Sequence, residues 1–490
     1  MNYIPAKSVE NGSYMCTWHR QGFVARRYGI TGPYGADVRD ALTPEYLFGD
    51  EIDYHWLPRE YRSGLYFVLD DGWDVPLHTE NREAIKVKPF GAVAPDPARF
   101  SSLGATPAEQ LAELNRLAQE WGYIGLGLWI SPQIPMEDGS VSAEAARDYW
   151  KERAIWCREA GVRYWKVDWG VHDRDIEYRR MLTEVVKEYA PDLAIEHAYV
   201  QKPLTWMENA EERKKASREM FAVSDYFRTY DVMWPMQDSA VLGRIHELLE
   251  DPLPFEMGVK GMLNMEYQHF IAAGLGGTVG AMDPAIEMNA VLRWQRLSPP
   301  FGAAEAEYRY SDEMITEKYE YPKNPVSWIP TAGHVIEETA PAVMVRGCSL
   351  PEVQPVGNEK PFVTASRNPR TGAYAISTIR RNIAPNTGVI VPAHVTWELQ
   401  DSDSFVGIFG YFESLTLVYP HDLAQGWRIF AQNLMDDEAQ EITGEVDIQG
   451  NRLTISGRVL MKIGVCNFAY PEMGGRKMSD PMLLIRIEKQ

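Results

Sequence analysis

Residues 143–170 read AEAARDYWKERAIWCREAGVRYWKVDWG. Ala143–Ala160 predicts a helix, and Gly161 is a natural left-handed stop for it. Val162–Val167 follows at once as an apolar strand and runs into Asp168, Trp169 and Gly170. Upstream, Ile124–Ile130 predicts another strand. Strand, helix and strand at this spacing form the βα repeat of a parallel sheet.

The repeat extends in both directions. Further strands are expected at Tyr14–Trp18, Leu65–Leu69, Leu193–Glu196, Asp225–Arg228 and Gly277–Met282. One more is expected within Leu248–Leu263. Pro107–Trp121 predicts a helix with Thr106 as N-cap, proline at its first position and Glu109 closing a capping box. An open dinucleotide-binding sheet is excluded, because no G-x-G-x-x-G follows a strand. The expected architecture is a (β/α)8 barrel over residues 1–335.

From about Ala340 the texture changes to short alternating runs. These are Phe362–Ala365, Ala373–Ile379, Gly388–Val391, Phe405–Phe412, Leu415–Tyr419, Trp427–Phe430, Leu453–Ile455 and Val459–Val465. Gly450-Asn451 and Met473-Gly474-Gly475 mark turns. The pattern predicts an antiparallel β-sandwich over residues 340–490.

The 490 residues carry a formal net charge of −20. Nucleic acid and anionic membrane both need a basic surface and are excluded as partners. Cys16, Cys157, Cys348 and Cys466 are widely spaced, so neither a disulfide framework nor a zinc knuckle is expected. The N-terminal residues lack the apolar core of a secretory signal, and no run approaches the length of a membrane span. A cytoplasmic protein is the expectation, with homo-oligomerisation left open.

In such a barrel the chemistry sits at the C-terminal ends of the strands. The polar residues there are Trp18 and His19; Asp70 and Asp71; Trp129; Lys166 and Asp168; Glu196 and His197; Arg228 and Asp231; and Asp283. Lys166 and Asp168 are two apart on a strand and share one face. The ammonium would keep the carboxylate ionised, as a nucleophile or as half of a structural salt bridge. Asp70 and Asp71 at a strand end can grip vicinal hydroxyls, with Trp73 closing over them; capping of the turn before Gly72 or a divalent cation are the other readings. An acid partner for Asp168 needs a raised pKa. Asp231, between Tyr230 and Trp234, is the candidate, and Asp225 is read mainly as a helix cap. The histidines carry no metal-ligand spacing, and no metal or cofactor is expected.

These blocks, in order, resemble the α-galactosidase clan of glycoside hydrolases, families twenty-seven and thirty-six. The blocks are Tyr14–Gln21 with Trp18, Leu65–Trp73, Pro95–Phe100 with the following helix and Gly125–Pro132, Tyr164–Trp169, and Arg228–Asp231. The resemblance covers about residues 12–300 and implies double displacement with retention. Asp168 would be the nucleophile and Asp231 the acid/base. Trp18, Asp70, Asp71, Trp73, Trp129, Lys166, Glu196, His197 and Arg228 would line a glycoside site. Trp169-Gly170 stands where family twenty-seven has a cysteine after the nucleophile, and the Asp-Met-Asn of family thirty-six is absent. This marks an outlying branch and leaves the sugar open between α-galactoside and its stereochemical relatives. A transglycosylase on the same site, or a non-catalytic carbohydrate-binding barrel, are the alternatives.

Overall fold

The computed structural model describes residues 1–33, 35–79, 90–134, 141–199, 210–229, 237–320, 335–384, 387–401, 404–423, 426–469 and 476–489. The turn expected at Met473-Gly474-Gly475 lies outside them.

Eight parallel strands form the first sheet: β1 (Tyr14–Cys16), β2 (Tyr66–Leu69), β3 (Gly125–Ile130), β4 (Tyr164–Val167), β5 (Ala194–Ala198), β6 (Tyr226–Arg228), β7 (Met262–Asn264) and β8 (Gly280–Ala281). Each pairs with its neighbour in sequence, and β8 pairs back onto β1. A single bridge, Asn264 to Thr278, closes the ring between β7 and β8. Helices α1 (Trp18–Tyr28), α2 (Pro107–Glu120), α3 (Ala143–Ala160), α4 (Ile176–Tyr189), α5 (Ala210–Ala222), α6 (Gln237–Leu249), α7 (His269–Leu275) and α8 (Ile286–Trp294) accompany the strands. The Thr106 hydroxyl accepts from the Glu109 backbone while Glu109 accepts from the Thr106 amide, which is the full capping box. Thr106→Ala is expected to lower unfolding free energy by about 1 kcal/mol, read from urea denaturation; an unchanged midpoint would count against the cap.

Strand periodicity separates two apolar layers. Met15, Phe67, Leu128, Trp165, Val167, Ile195, Phe227 and Leu263 face the helices and belong to the main core. Tyr14, Cys16, Tyr66, Val68, Tyr164, Ala194, Tyr226, Met262 and Met282 fill the barrel. The inner tyrosines pack ring to ring, with Tyr164 5.5 Å from Tyr14, 5.1 Å from Tyr66 and 5.3 Å from Tyr226. Gly127 makes room for this layer, since a Cβ there would stand 2.8 Å from Val68 and 3.1 Å from Tyr164. Two residues further along β2, β4, β6 and β7, the same inward face turns polar.

The second domain has an eight-stranded sheet facing a five-stranded one. The larger runs in the order Gln440–Glu441, Trp427–Asn433, Met482–Lys489, Val406–Phe409, Tyr374–Ile379, Phe362–Arg367, Val343–Arg346, Tyr308–Tyr310. The sheets meet where Tyr374 of one packs edge-on against Trp397 of the other, 5.4 Å between centroids. Both sheets are mixed rather than wholly antiparallel. After Tyr374–Ile379 the chain crosses to the smaller sheet, then returns as Val406–Phe409 parallel to the strand it left. The larger sheet also starts earlier than residue 340, because Tyr308–Tyr310 pairs with Val343–Arg346. The strand expected at Val459–Val465 is instead the helix Gly457–Gly464. Ser456 caps it by accepting from the Val459 amide, and Val459, Leu460 and Ile463 bury one helical face.

Arg346 and the N-terminal segment are among the contacts that join the domains. Arg346 reaches into the barrel and donates to the carbonyls of Leu275 and Phe301, at 3.2 and 2.9 Å. The N-terminal segment lies on the second domain: the Tyr3 amide donates to Gln432 at 2.9 Å, the Tyr3 hydroxyl to Glu488 at 2.8 Å, and the Ala439 amide to the Met1 carbonyl at 2.8 Å.

Candidate active site

The polar layer at the C-terminal end of the barrel is assembled from seven strands, β1 to β7. β4 contributes Lys166 and, one step beyond its end, Asp168. The Asp168 amide donates to the Ile130 carbonyl at 3.0 Å, continuing the ladder to β3. Arg179 of α4, fully buried, donates to the carbonyls of Val167, Asp168 and Ala198 and locks the main chain there. The Asp168 carboxylate then receives two donors. Arg228 Nη2 of β6 lies 2.9 Å from Oδ1, and the Trp129 indole N–H of β3 lies 3.0 Å from Oδ2. Its side chain keeps 14% exposure, whereas Arg228 and Lys166 are at 2%. Asp168 is thus the part of this layer that solvent or substrate can reach.

Beneath it lies a buried ionic cluster. Lys166 Nζ is 2.8 Å from Asp70 Oδ2 and 3.6 Å from Glu266 Oε1. The Cys16 thiol donates to the same Asp70 oxygen at 3.0 Å. Arg228 Nη1 is 3.3 Å from Glu266 Oε1. Glu196 accepts from the Tyr164 hydroxyl at 2.9 Å and from the Asn264 amide at 2.6 Å.

Burial pushes the Asp168 carboxyl up, but the Arg228 and Lys166 charges and the Trp129 hydrogen bond outweigh it, and its pKa ends below the usual carboxylate range. Burial lowers the Lys166 ammonium, yet Asp70, Cys16 and Glu266 hold it well above an ordinary lysine. Burial raises Glu196 and Glu266 despite the neighbouring cations. A carboxylate held ionised beside carboxyls that are pushed toward neutrality is the asymmetry that nucleophilic and acid–base chemistry use.

The sequence-derived candidates divide by position. Asp70, Lys166, Asp168, Glu196, Arg228 and Trp129 come together around one inward face. Asp71 turns away: Arg39 grips both its oxygens, at 2.9 and 2.6 Å, and both side chains are buried. Trp73 does not close over the aspartates. It is fully buried in the main core and donates to the Trp129 carbonyl. Trp129 and Phe90 are themselves buried and pack with the half-buried Trp169 as an aromatic cluster beside Asp168, with Phe90 5.1 Å from Trp129 and 4.9 Å from Trp169. Trp18 begins α1 at the rim, 36% exposed, beside an exposed His19–Asp283 pair. His197 faces the helices, because its neighbour Glu196 occupies the inward position of β5. Its ring pairs with Thr183 of α4 at 2.9 Å and it is removed from the candidate pocket. Asp225 is not a helix cap. At the opposite end of the barrel it holds Lys187 at 2.7 and 2.8 Å and accepts from the Ile195 and Lys260 amides. Tyr230, Asp231 and Trp234 lie outside the described residues.

Sequence reasoning missed Glu266, Tyr14, Cys16, Asn264 and Arg39. Glu266 is the most consequential. It is fully buried and adopts φ +37°, a strained region for a residue with a side chain. The alternation Met262, Asn264, Glu266 would have placed it inward, had β7 been located. Among the described residues no group of three or more His, Cys, Asp or Glu is arranged to hold a metal ion.

Burial and Arg179 depress the His197 imidazole well below its ordinary value. Folding therefore favours the neutral ring. The stability this contributes is complete above the unfolded value of about 6.5 and is lost as the pH falls below it. Buried carboxyls pull the opposite way, so the readout is a difference. The gap in unfolding free energy between wild type and His197→Gln is expected to shrink by about 1.4 kcal/mol per pH unit below 6.5. A pH-independent gap in urea titrations at pH 7.5 and 5.5 would refute a neutral buried ring.

No protein-family model and no curated protein matches the chain. Among solved structures it is similar to a β-L-arabinopyranosidase of Geobacillus stearothermophilus, with 11% identity, 98% of this chain and 97% of that chain covered, and a TM-score of 0.41. It is also similar to α-galactosidase I of Mortierella vinacea, with 10% identity, 99% and 98% covered, and a TM-score of 0.40. An α-galactosidase of Saccharomyces cerevisiae gives 8% identity, 99% and 100% covered, and a TM-score of 0.40. Similarity at this level leaves the function to the chemistry of the site itself.

Proposed function

We propose that this chain is a retaining glycoside hydrolase acting on terminal α-galactosidic or stereochemically related linkages. The observation that carries the reading is Asp168: an ionised, partly exposed carboxylate at the end of a barrel strand, oriented through both oxygens by Arg228 and Trp129. Its carboxylate attacks the anomeric carbon as the glycosidic oxygen leaves, forming a glycosyl-enzyme that water then hydrolyses. Asp231 is assigned as the acid that protonates the leaving oxygen and the base that activates the water, from its place in Arg228-Thr229-Tyr230-Asp231. The half-buried ring of Trp169, backed by the buried Phe90 and Trp129, offers an apolar surface for a sugar face, and Asp70 and Lys166 form the polar layer beneath. The reaction needs no cofactor.

The test is a panel of nitrophenyl α- and β-glycosides, with the anomer of the first product followed by NMR. Cleavage of the α-galactoside or α-configured relative with retained configuration is expected. Inverted product would remove the glycosyl-enzyme. Sugar binding without turnover across the panel would favour a carbohydrate-binding barrel.

A further inference from the structure

We propose that Glu196 is a neutral carboxylic acid at neutral pH, donating through the Tyr14 hydroxyl to an ionised Glu266, and that this chain positions Arg228 and Lys166 beneath Asp168. The placement of the proton stands on geometry alone; its effect on catalysis rests on the function proposed above.

The protons between the two carboxyls can be counted. The Tyr14 hydroxyl oxygen lies 3.0 Å from Glu266 Oε1 and 3.3 Å from Glu196 Oε1. A phenol has one proton to give. It can donate to one carboxyl only, and the other contact is attractive only if that carboxyl donates in return. Glu266 is the acceptor: the same oxygen faces Arg228 at 3.3 Å and Lys166 at 3.6 Å. Its other oxygen, Oε2, has no hydrogen-bond partner among the described residues, so the charge is met entirely through Oε1. Glu196 touches no cation within ion-pair distance among the described residues. Its Oε2 is taken by Tyr164 and Asn264, which leaves Oε1 as the seat of the proton.

Charge balance agrees. The groups facing this chain are Tyr14 and Cys16 from β1, Asp70 after β2, Tyr164, Lys166 and Asp168 from β4, Tyr226 and Arg228 from β6, and Asn264 after Leu263 on β7. Two cations already serve Asp70, Asp168 and Glu266. A fourth charge on a fully buried Glu196 would be uncompensated. Burial raises both the Glu196 and the Glu266 carboxyl, so the shift does not choose between them; the cations within reach of Glu266 Oε1 do. Asn264 ties the two ends together, since its amide donates to Glu196 and its oxygen accepts from the Glu266 backbone at 2.9 Å. That tie accompanies the strained backbone at Glu266.

Infrared difference spectra in heavy water at neutral pD read the proton directly. Wild type minus Glu196→Gln is expected to show a carboxylic-acid carbonyl band, and wild type minus Glu266→Gln a lost carboxylate band with the acid band shifted but retained. An acid band lost in Glu266→Gln instead, or in neither variant, overturns the placement. If either glutamine variant fails to fold, Tyr14→Phe serves. Removing the acceptor moves the acid band to higher frequency, and an unmoved band overturns the chain. For positioning, the alkaline fall in kcat/KM is expected to involve two protons in wild type, one from the acid Asp231 and one from Glu196, and a single proton in Glu196→Gln. An alkaline limb of unchanged steepness and position overturns the positioning role. An acid band in a protein that cleaves no glycoside would remove the proposed function and leave the proton where it is.

Discussion

The Asp168→Ala variant is expected to cleave a nitrophenyl α-galactoside with kcat/KM reduced by about 10⁴-fold or more, while folding as wild type. Loss of a nucleophile removes the covalent route altogether, and the residual rate comes from binding and acid assistance. Folding should survive because the carboxylate is partly exposed and because Arg228, its buried partner, retains Glu266 at 3.3 Å. The smaller side chain also leaves a gap on the face from which Asp168 attacks. Azide should enter that gap, restore turnover and yield the β-glycosyl azide, the inverted product. Activity within about tenfold of wild type, or rescue giving the α-azide, would dismiss Asp168 as nucleophile.

Lys166→Met is expected to be the most destabilising conservative change in the barrel, costing about 3–5 kcal/mol of unfolding free energy. Lys166 and Asp70 are 2% and 5% exposed and 2.8 Å apart. Removing only the ammonium leaves a carboxylate in an apolar cavity with a thiol and a backbone amide as its remaining donors. Adding Asp70→Asn should recover part of the loss, because a paired deletion is cheaper than an orphaned charge. Lys166 also helps hold the Asp168 carboxyl below its usual range. Without it Asp168 takes up a proton at higher pH, so the acid limb of kcat/KM moves upward in the single variant. A single variant with the wild-type denaturation midpoint, or a double variant less stable than the single, would show that the cluster is not an ion pair energetically.

Much of the barrel was legible because its strands announce themselves. Ile124–Ile130 and Val162–Val167 are long, apolar and bounded by a capped helix on one side and Gly161 on the other. β7 was not legible. Met262-Leu263-Asn264 is three residues long, follows Gly258-Val259-Lys260-Gly261 and has no helix signal before it. Losing β7 meant losing Glu266 and Asn264, and with them the far side of the buried cluster. Residues two apart were placed correctly by alternation, as Lys166 and Asp168 show. Adjacent residues were not separable: Glu196 and His197 were both read inward, and the pleat admits only one of them. Trp73, Asp71 and Asp225 went astray for another reason. Their partners, Trp129, Arg39 and Lys187, are remote in sequence, and nothing local distinguishes a carboxylate that faces substrate from one that faces a buried cation. The helix Gly457–Gly464 was hidden because two consecutive apolar residues, Val459 and Leu460, suit either period.

The position of Tyr3 sets the order in which the molecule can be completed during synthesis. Residues near the start of the chain find their partners at Gln432, Ala439 and Glu488, and Arg346 supplies bonds to the Leu275 and Phe301 carbonyls. On the ribosome, the barrel segment therefore emerges well before the strand Met482–Lys489 that its own N-terminal arm requires. Nascent chains arrested near residue 310 should stay sensitive to protease, and resistance should appear only once Met482–Lys489 is free of the ribosome. Assembly is then a closing of two ends, and a shortage of either one leaves the other without a place to rest.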